Sequence, residues 1–358
     1  MLKNDLRIAV LADDLTGITD TASVFFGLNY RCLFSLKNEF VPESRILFFN
    51  SRTRNLNSGK NFSTIQSIHK HFLGLCSQNE INLVYKKIDS TLRGPIPDEV
   101  LSLSELLNPG LIPFLPENPV QKRVYTGSEY LVNGFPIEQT FYAADPNNPS
   151  SKTVFFKLQS RLGSRFWAPP IFSSAELESA MATLFQRSDF NFIVASAAAA
   201  AFFPPLAADF PPPGTKTRKC LVISGSLNTL NSAQLELLRN FALEIPMSRL
   251  NQTDQYLSQS DLCLLDLSKA VSQVSFDQSL QTLSSSLLSK PNLIICGGET
   301  ADSFLRCSSA EVLEVSGIAA RGIPLCSDRN RLIIMKPGGF GEPDFYERCY
   351  QLIRSFQH

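Results

Sequence analysis

Short, predominantly apolar runs recur along the chain, most of them broken by a polar or glycine-rich turn and followed by a segment with helical spacing. In the first half they are Arg7-Ile8-Ala9-Val10-Leu11-Ala12, Ile46-Leu47-Phe48-Phe49, Ile81-Asn82-Leu83-Val84-Tyr85 and Phe192-Ile193-Val194. In the second half they are Leu221-Val222-Ile223, Leu262-Cys263-Leu264-Leu265, Leu293-Ile294-Ile295-Cys296 and Leu332-Ile333-Ile334-Met335. Helical spacing follows at about 19–26, 58–75, 95–107, 173–185, 231–241 and 272–288, then from Ala301 and from Pro343 to Phe356. Strands that are apolar throughout need cover on both faces. With helices between them, they predict parallel sheets with right-handed crossovers.

The pattern lapses twice. Leu111 to Pro149 is turn-rich and extended, and Asn133-Gly134 within Tyr130–Pro136 predicts a β-turn in an inserted strand pair. Phe210-Pro211-Pro212-Pro213-Gly214-Thr215-Lys216 predicts a linker. The chain of 358 residues is long for a single core. The expectation is a two-domain α/β protein: residues 1–209, a Pro-rich linker over 210–219, and residues 220–358, each domain a largely parallel sheet flanked by helices.

Composition narrows the function classes. Lys+Arg and Asp+Glu are 33 each, so no whole-chain field favours nucleic acid or an anionic membrane. The longest apolar run, Phe192 to Phe203, is mostly alanine and too short to span a bilayer. The N-terminus, Met1-Leu2-Lys3-Asn4-Asp5, carries no signal-like apolar stretch, and the eight cysteines form no C-x-x-C pair. Buried free thiols and a cytoplasmic location are expected. With His69, His71 and His358 as the only histidines, a histidine-based metal site or triad is disfavoured; His69-Lys70-His71 reads as a polar helix face.

The chemistry gathers where strands end. Lys86-Lys87-Ile88-Asp89-Ser90-Thr91-Leu92-Arg93-Gly94 sets cations, a carboxylate and hydroxyls between a strand and a helix, where open α/β sheets place ligands. Asp13-Asp14 follow the first strand, and two adjacent carboxylates need a cation or donors. Arg54, Lys87 and Arg93 can hold an anion, while Asp13, Asp14 and Asp89 can accept hydroxyls or a proton. In the second half three strand ends carry small-residue loops: Ser224-Gly225-Ser226, Gly297-Gly298-Glu299-Thr300 and Lys336-Pro337-Gly338-Gly339-Phe340-Gly341. Glycine alone makes turns, but three such loops before helices point to a phosphate or nucleotide site. Neither a P-loop nor a G-x-G-x-x-G fingerprint is present.

Taken together, these motifs resemble the four-carbon acid sugar kinase family. Ala12-Asp13-Asp14-Leu15-Thr16-Gly17 with Asp20-Thr21, Lys87 to Gly94, Tyr130 to Pro136, Asp145-Pro146, the three glycine loops and Gly322-Ile323-Pro324 occur in the family's order. The resemblance implies ATP-dependent phosphorylation of the terminal hydroxyl of a tetronate such as threonate, erythronate or 3-oxo-tetronate. It implies a sugar-acid-binding N-terminal domain, a nucleotide-binding C-terminal domain and an active site in the interdomain cleft. Asp13, Asp14, Thr16, Arg54, Lys87, Ile88, Asp89 and Ser90 would bind the acid. Ser224, Gly225, Ser226, Gly297, Gly298, Glu299, Thr300, Gly338, Gly339, Phe340 and Gly341 would bind ATP, with Mg2+ on its phosphates. Catalysis would rest on Lys87, on Arg93 for transition-state charge, and on Asp89, or one of Asp13 and Asp14, as base. No protein-held metal is expected; sugar acid and ATP are the expected partners, and a homodimer is left open.

Four departures lie in the substrate-binding half: Arg52 stands where the family is usually acidic, Gln121-Lys122 where Gly-Arg is expected before Tyr125, Ser173-Ser174 for Asp-Ala, and Ala195-Ser196-Ala197-Ala198-Ala199 for a Gly-Ser-Ala-Gly-Leu segment. They keep open an alternative, a relative that binds nucleotide or sugar acid as a regulator without turnover. A metal-dependent phosphatase is a third reading, opposed by the histidine count.

Overall fold

The computed structural model describes residues 6–57, 59–144, 150–207, 215, 217–268 and 273–356. The expectations at Met1–Asp5, Ser58, Asp145-Pro146, Phe210–Gly214, Lys216, Ser272 and His358 fall outside the described residues.

The chain forms two compact units, one of residues 1–32 with 38–207 and one of residues 33–37 with 208–358. Leu33–Lys37, expected within the N-terminal domain, therefore belongs to the C-terminal unit.

The first unit is built on a six-stranded sheet in the order Ile46–Asn50, Ile8–Ala12, Leu83–Lys87, Phe192–Ala195, Ile112–Leu115, Phe166–Trp167. Every pairing in it is parallel. Strand residues alternate between the two faces. Ala9 and Leu11 join Leu47, Phe49, Val84 and Phe114 in a core shared with Val100, Leu103, Val154 and Leu158 of helices Ile96–Leu107 and Ser151–Leu162. On another side of the unit, Phe25 of helix Leu15–Gly27 meets Tyr85 and Phe203 edge-on, and Phe203 meets Phe185 of helix Ser174–Phe185. From Ile8–Ala12 the chain crosses first to one neighbour, Ile46–Asn50, and then to the other, Leu83–Lys87. The carboxyl ends of Ile8–Ala12 and Leu83–Lys87 thus flank the point where strand order reverses.

The expected inserted strand pair is a three-stranded meander, Arg123–Tyr125, Tyr130–Val132 and Phe135–Pro136. Its turn places Asn133 at φ 54° and Gly134 at φ 86°, the left-handed conformation that Asn-Gly accommodates at low cost.

The second unit repeats the logic. Leu243–Glu244, Leu262–Asp266, Cys220–Ser224, Asn292–Cys296 and Leu332–Lys336 are parallel, and the order reverses between Cys220–Ser224 and Asn292–Cys296. Ile323–Ser327, Val312–Ala320 and Leu33–Ser35 continue the sheet antiparallel, an extension the sequence reading did not anticipate.

Helix bounds shift by a few residues from expectation: Leu15–Gly27, Phe62–Gln78, Ile96–Leu107, Thr229–Leu238, Gln273–Ser286, Gly298–Cys307 and Phe345–Ser355. Two differences alter the chemistry. Lys86 and Lys87, placed beyond their strand in the sequence reading, are its last two residues and buried. His69, expected on a polar face, is fully buried with Nδ1 2.9 Å from Ser102 Oγ. No helix among the described residues is long and apolar enough to cross a membrane, and every cysteine is free, all but Cys307 buried.

Candidate functional site

At the reversal point of the first unit one guanidinium organises three carboxylates. Arg54, in the loop after Ile46–Asn50, holds Asp13 in a two-point pair through Nε and through Nη2 at 2.8 Å. Its nitrogens also lie 3.3 Å from Asp14 Oδ1 and 3.4 Å from Asp89 Oδ2. The chain must come close here: a Cβ at Gly94, whose φ is +94°, would sit 3.0 Å from Asp13 Oδ2. Asp14 is committed to the helix start, accepting from Gly17 N at 2.6 Å and Thr16 Oγ1 at 2.7 Å as N-cap. Asp89 accepts from Arg93 Nε, from Thr91 Oγ1 at 2.9 Å and from Thr91 N at 3.2 Å.

These contacts set the protonation of the acids. Burial opposes charge on Asp89, but Arg93, Arg54 and Arg123 together hold its carboxyl well below the ordinary carboxylate range. Burial also opposes charge on Asp13, and the Arg54 guanidinium outweighs it, so Asp13 is lowered too.

Lys87 Nζ donates to the Ile88 carbonyl at 3.0 Å and lies 3.9 Å from Asp20 Oδ2. Ile88 itself is buried, its N–H tied to Ala195 O at 2.9 Å, so it contributes backbone rather than side chain. Ser90 Oγ accepts from Arg123 Nη1. Asp13, Asp14, Thr16, Arg54, Lys87, Ile88, Asp89, Ser90 and Arg93 are thus brought together at one sheet end.

Beneath them lies a buried layer. Lys86 Nζ pairs with Glu99 Oε1 at 2.8 Å, and the same oxygen accepts from Thr53 Oγ1 at 2.6 Å. Thr53 in turn is 2.7 Å from Ser51 Oγ, so the loop that presents Arg54 is fastened from below.

Several of these residues escaped the sequence reading. Arg123 reaches Ser90 although Gln121-Lys122 fill the expected Gly-Arg position; Lys122 itself is a left-handed turn residue at φ 54°. Glu99 is not among the candidate residues that the sequence singles out. Asp20 was seen as part of a motif, without a role. Ser173 caps helix Ser174–Phe185 through a capping box with Glu176, and Ser196 caps the turn Ala197–Phe202, so these departures have local structural uses.

In the second unit the three small-residue loops converge at the reversal point. A Cβ at Gly225 would fall 2.4 Å from Thr300 Oγ1, one at Gly297 2.7 Å from the same atom, and one at Gly338 2.0 Å from Ser226 Oγ. Glycine leaves room for this approach, and a side chain at any of the three would have to displace Thr300 or Ser226. Gly298, Glu299 and Thr300 form the first turn of helix Gly298–Cys307, whose N-terminal N–H groups favour an anion. Gly339 lies against Asn228, and Phe340 packs against the core.

Helix Thr229–Leu238 staples the loops from behind. Asn231 Nδ2 donates to Ser224 Oγ at 2.9 Å and to Ser226 O at 3.3 Å, while its Oδ1 accepts from Tyr346 OH at 2.6 Å and Cys296 Sγ at 3.0 Å. One turn on, Gln234 Nε2 lies within hydrogen-bond distance of the carbonyls of Phe340, Gly341 and Glu342, at 3.2, 3.0 and 2.7 Å. Lys336 is buried, donates to Gly338 O at 3.1 Å, and is lowered from its ordinary value by burial. The backbone approach and the helix start suit a polyphosphate. Among the described residues no group of three or more His, Cys, Asp or Glu is placed to hold a metal ion.

A sugar-binding N-terminal domain matches residues 8–201, and a nucleotide-binding C-terminal domain matches residues 258–346. The chain is 30% identical over 146 residues to a D-threonate kinase of Salmonella typhimurium, covering 40% of this chain and 34% of that protein. It is 27% identical over 154 residues to a D-erythronate kinase of Heliobacterium modesticaldum, covering 41% and 34%. The chain therefore spans only about a third of the length of these curated relatives. The fold is shared with a solved protein of Salmonella typhimurium, with TM-score 0.76, 17% identity, and 97% of this chain and 99% of that one covered. A Haemophilus influenzae protein gives TM-score 0.72 at 17% identity, covering 96% and 100%. With the sugar-binding domain alone matching more than half of its residues and the nucleotide-binding domain following in order, the chain belongs to the four-carbon acid sugar kinase family.

Proposed function

We propose that the protein transfers the γ-phosphoryl group of ATP to the terminal hydroxyl of a four-carbon sugar acid. The observation that carries this reading is the set at the first unit's reversal point, where Arg54, Lys87, Arg93 and Arg123 stand among Asp13, Asp14, Asp20 and Asp89. A small polyhydroxy acid needs both kinds of group: cations for its carboxylate and fixed carboxylates for its hydroxyls. Asp13 and Asp14, ordered by Arg54, would take hydroxyls, with Thr16, Ser90 and the Ile88 backbone completing the set. Lys87 would meet the acid's negative end.

On the other unit Ser224, Gly225, Ser226, Gly297 to Thr300 and Gly338 to Gly341 would hold the nucleotide. When bound, ATP supplies the phosphoryl group and Mg2+ the countercharge on its oxygens. Arg93, whose side chain is 36% exposed, would stabilise charge on the group in transfer. Asp89 holds Arg93 and Arg54 in place and keeps their charge oriented.

The test is ADP release in a coupled assay over D- and L-threonate, D- and L-erythronate and 3-oxo-tetronates. Turnover on one of them at a rate far above the ATPase background is the expected result. ATP binding without turnover on any would overturn the reading in favour of a nucleotide-binding regulator.

A further inference from the structure

We propose that Asp20, rather than Asp89, accepts the proton of the acceptor hydroxyl; the inference rests on the kinase reading above. A general base is best served by a carboxylate oxygen that no protein donor already holds, together with a proton affinity suited to its task. Three of the acids at the site lack the first. Asp13 is engaged by Arg54 at both oxygens, Asp14 caps its helix through both oxygens, and Asp89 serves Arg93, Arg54 and Thr91.

Asp20 differs. It lies on helix Leu15–Gly27, its side chain 34% exposed, and its carboxylate accepts no hydrogen bond among the described residues. Its nearest cation is Lys87 Nζ at 3.9 Å, close enough to orient the carboxylate without occupying a lone pair. The charged groups facing it are Lys87 from the strand Leu83–Lys87, Arg123 from the meander, Asp14 at its own helix start and Asp89 from the loop. The turn Ala197–Phe202, packed on the same helix, adds no charge. Burial raises Asp20 above the ordinary aspartate value, and the nearby Asp14 and Asp89 charges add to this against Lys87 and Arg123. Asp89 is displaced the opposite way. Two carboxylates whose environments push them apart divide into a proton acceptor and a permanently ionised anchor.

In the step so assigned, the hydroxyl O–H bond breaks and its proton passes to Asp20 Oδ. The freed oxygen pair forms the bond to the γ-phosphorus, and the bond from that phosphorus to the bridging oxygen breaks, leaving its electron pair on ADP.

The experiment compares wild type, Asp20→Asn, Asp20→Ala and Asp89→Asn with ATP, Mg2+ and the C4 acid on which wild type turns over. Circular dichroism and thermal unfolding check the fold of each variant. For Asp20→Asn, kcat should fall at least 100-fold with KM for the acid within threefold. The acidic limb of the wild-type kcat profile should vanish, and formate should restore part of the kcat of Asp20→Ala. Asp89→Asn, which loosens both Arg54 and Arg93, should raise KM and lower kcat together while keeping the acidic limb of the profile. A folded Asp20→Asn that keeps wild-type kcat, or one that changes KM alone, overturns the assignment while leaving the kinase reading intact. A wild type without turnover on any C4 acid overturns both.

Discussion

Lys86 Nζ and Glu99 Oε1 are 2.8 Å apart, and neither side chain has exposed surface. The pair links the strand Leu83–Lys87 to the helix Ile96–Leu107 and, through Thr53, to the loop that presents Arg54. Removing one member leaves a buried charge alone. Glu99→Gln should therefore lose about 3–5 kcal/mol of unfolding free energy in urea. Lys86→Met combined with Glu99→Leu should lose much less, because no orphaned charge remains. If the single and double changes destabilise equally, the pair is not what the loop depends on.

Arg54 serves Asp13 at two points and faces two further carboxylates, a geometry that a lysine ammonium cannot copy. Arg54→Lys keeps the charge and should raise KM for the acid by about ten- to a hundredfold, equivalent to one lost charge-assisted pair of about 1.5–3 kcal/mol. ATP affinity, measured separately with a fluorescent analogue, should stay within about twofold if the two ligands are held by separate sets.

His69 provides a pH signature of folding. Burial and the Lys86 charge push it down from its ordinary value of 6.5 to about 3. Its folded value lies below its unfolded one, so its contribution is complete above pH 6.5 and is lost as pH falls towards 3. Over that window it should remove up to about 1.4 kcal/mol per pH unit. Urea unfolding at intervals across the window should show a shallower pH slope for His69→Gln than for wild type. Equal slopes would mean that His69 is not held neutral in the folded state.

On the nucleotide side, Asn231 is the hinge pin of two loops. Asn231→Leu strips partners from Ser224, Ser226, Tyr346 and Cys296 and should cost about 2–4 kcal/mol of stability. Gly338→Ala forces a methyl group against Ser226 and should weaken ATP at least tenfold while costing only about 1–3 kcal/mol of stability. Titration with the fluorescent analogue and urea unfolding of each variant check both. Unchanged ATP affinity in folded Gly338→Ala would remove that loop from the nucleotide site.

The parts of this arrangement that local pattern controls were legible in the sequence. The strands ending at Ala12, Asn50, Ser224 and Cys296 are legible to within one residue as apolar runs halted by polar or small residues, and the loops that follow carry the candidate site residues. Lys86 and Lys87 misled because charged residues argue against a buried strand. What makes them tolerable is Glu99 on the next helix and, for Lys87, the Ile88 carbonyl and Asp20. Asn231 and Gln234 look like solvent-facing helix residues, yet both are buried by the loops they hold. Polar side chains whose partners are loop backbone leave no periodic trace. Arg123 was missed for a related reason, since its partner Ser90 lies in another segment and the turn at Lys122 decides where it points.

The segment Leu33–Lys37 has a consequence for biosynthesis. Leu33–Ser35 completes a sheet by pairing with Val312–Glu314, and Lys37 meets Glu311 across 274 positions of sequence. During translation this strand leaves the ribosome long before its neighbour exists, at rates of about 5–20 residues per second. For that interval it is a short apolar segment awaiting a late partner. The sheet's last edge closes only after the polypeptide has returned to a segment made 274 positions earlier. A fragment beginning at residue 208 would present the open edge of Val312–Ala320 to solvent and to other copies of itself.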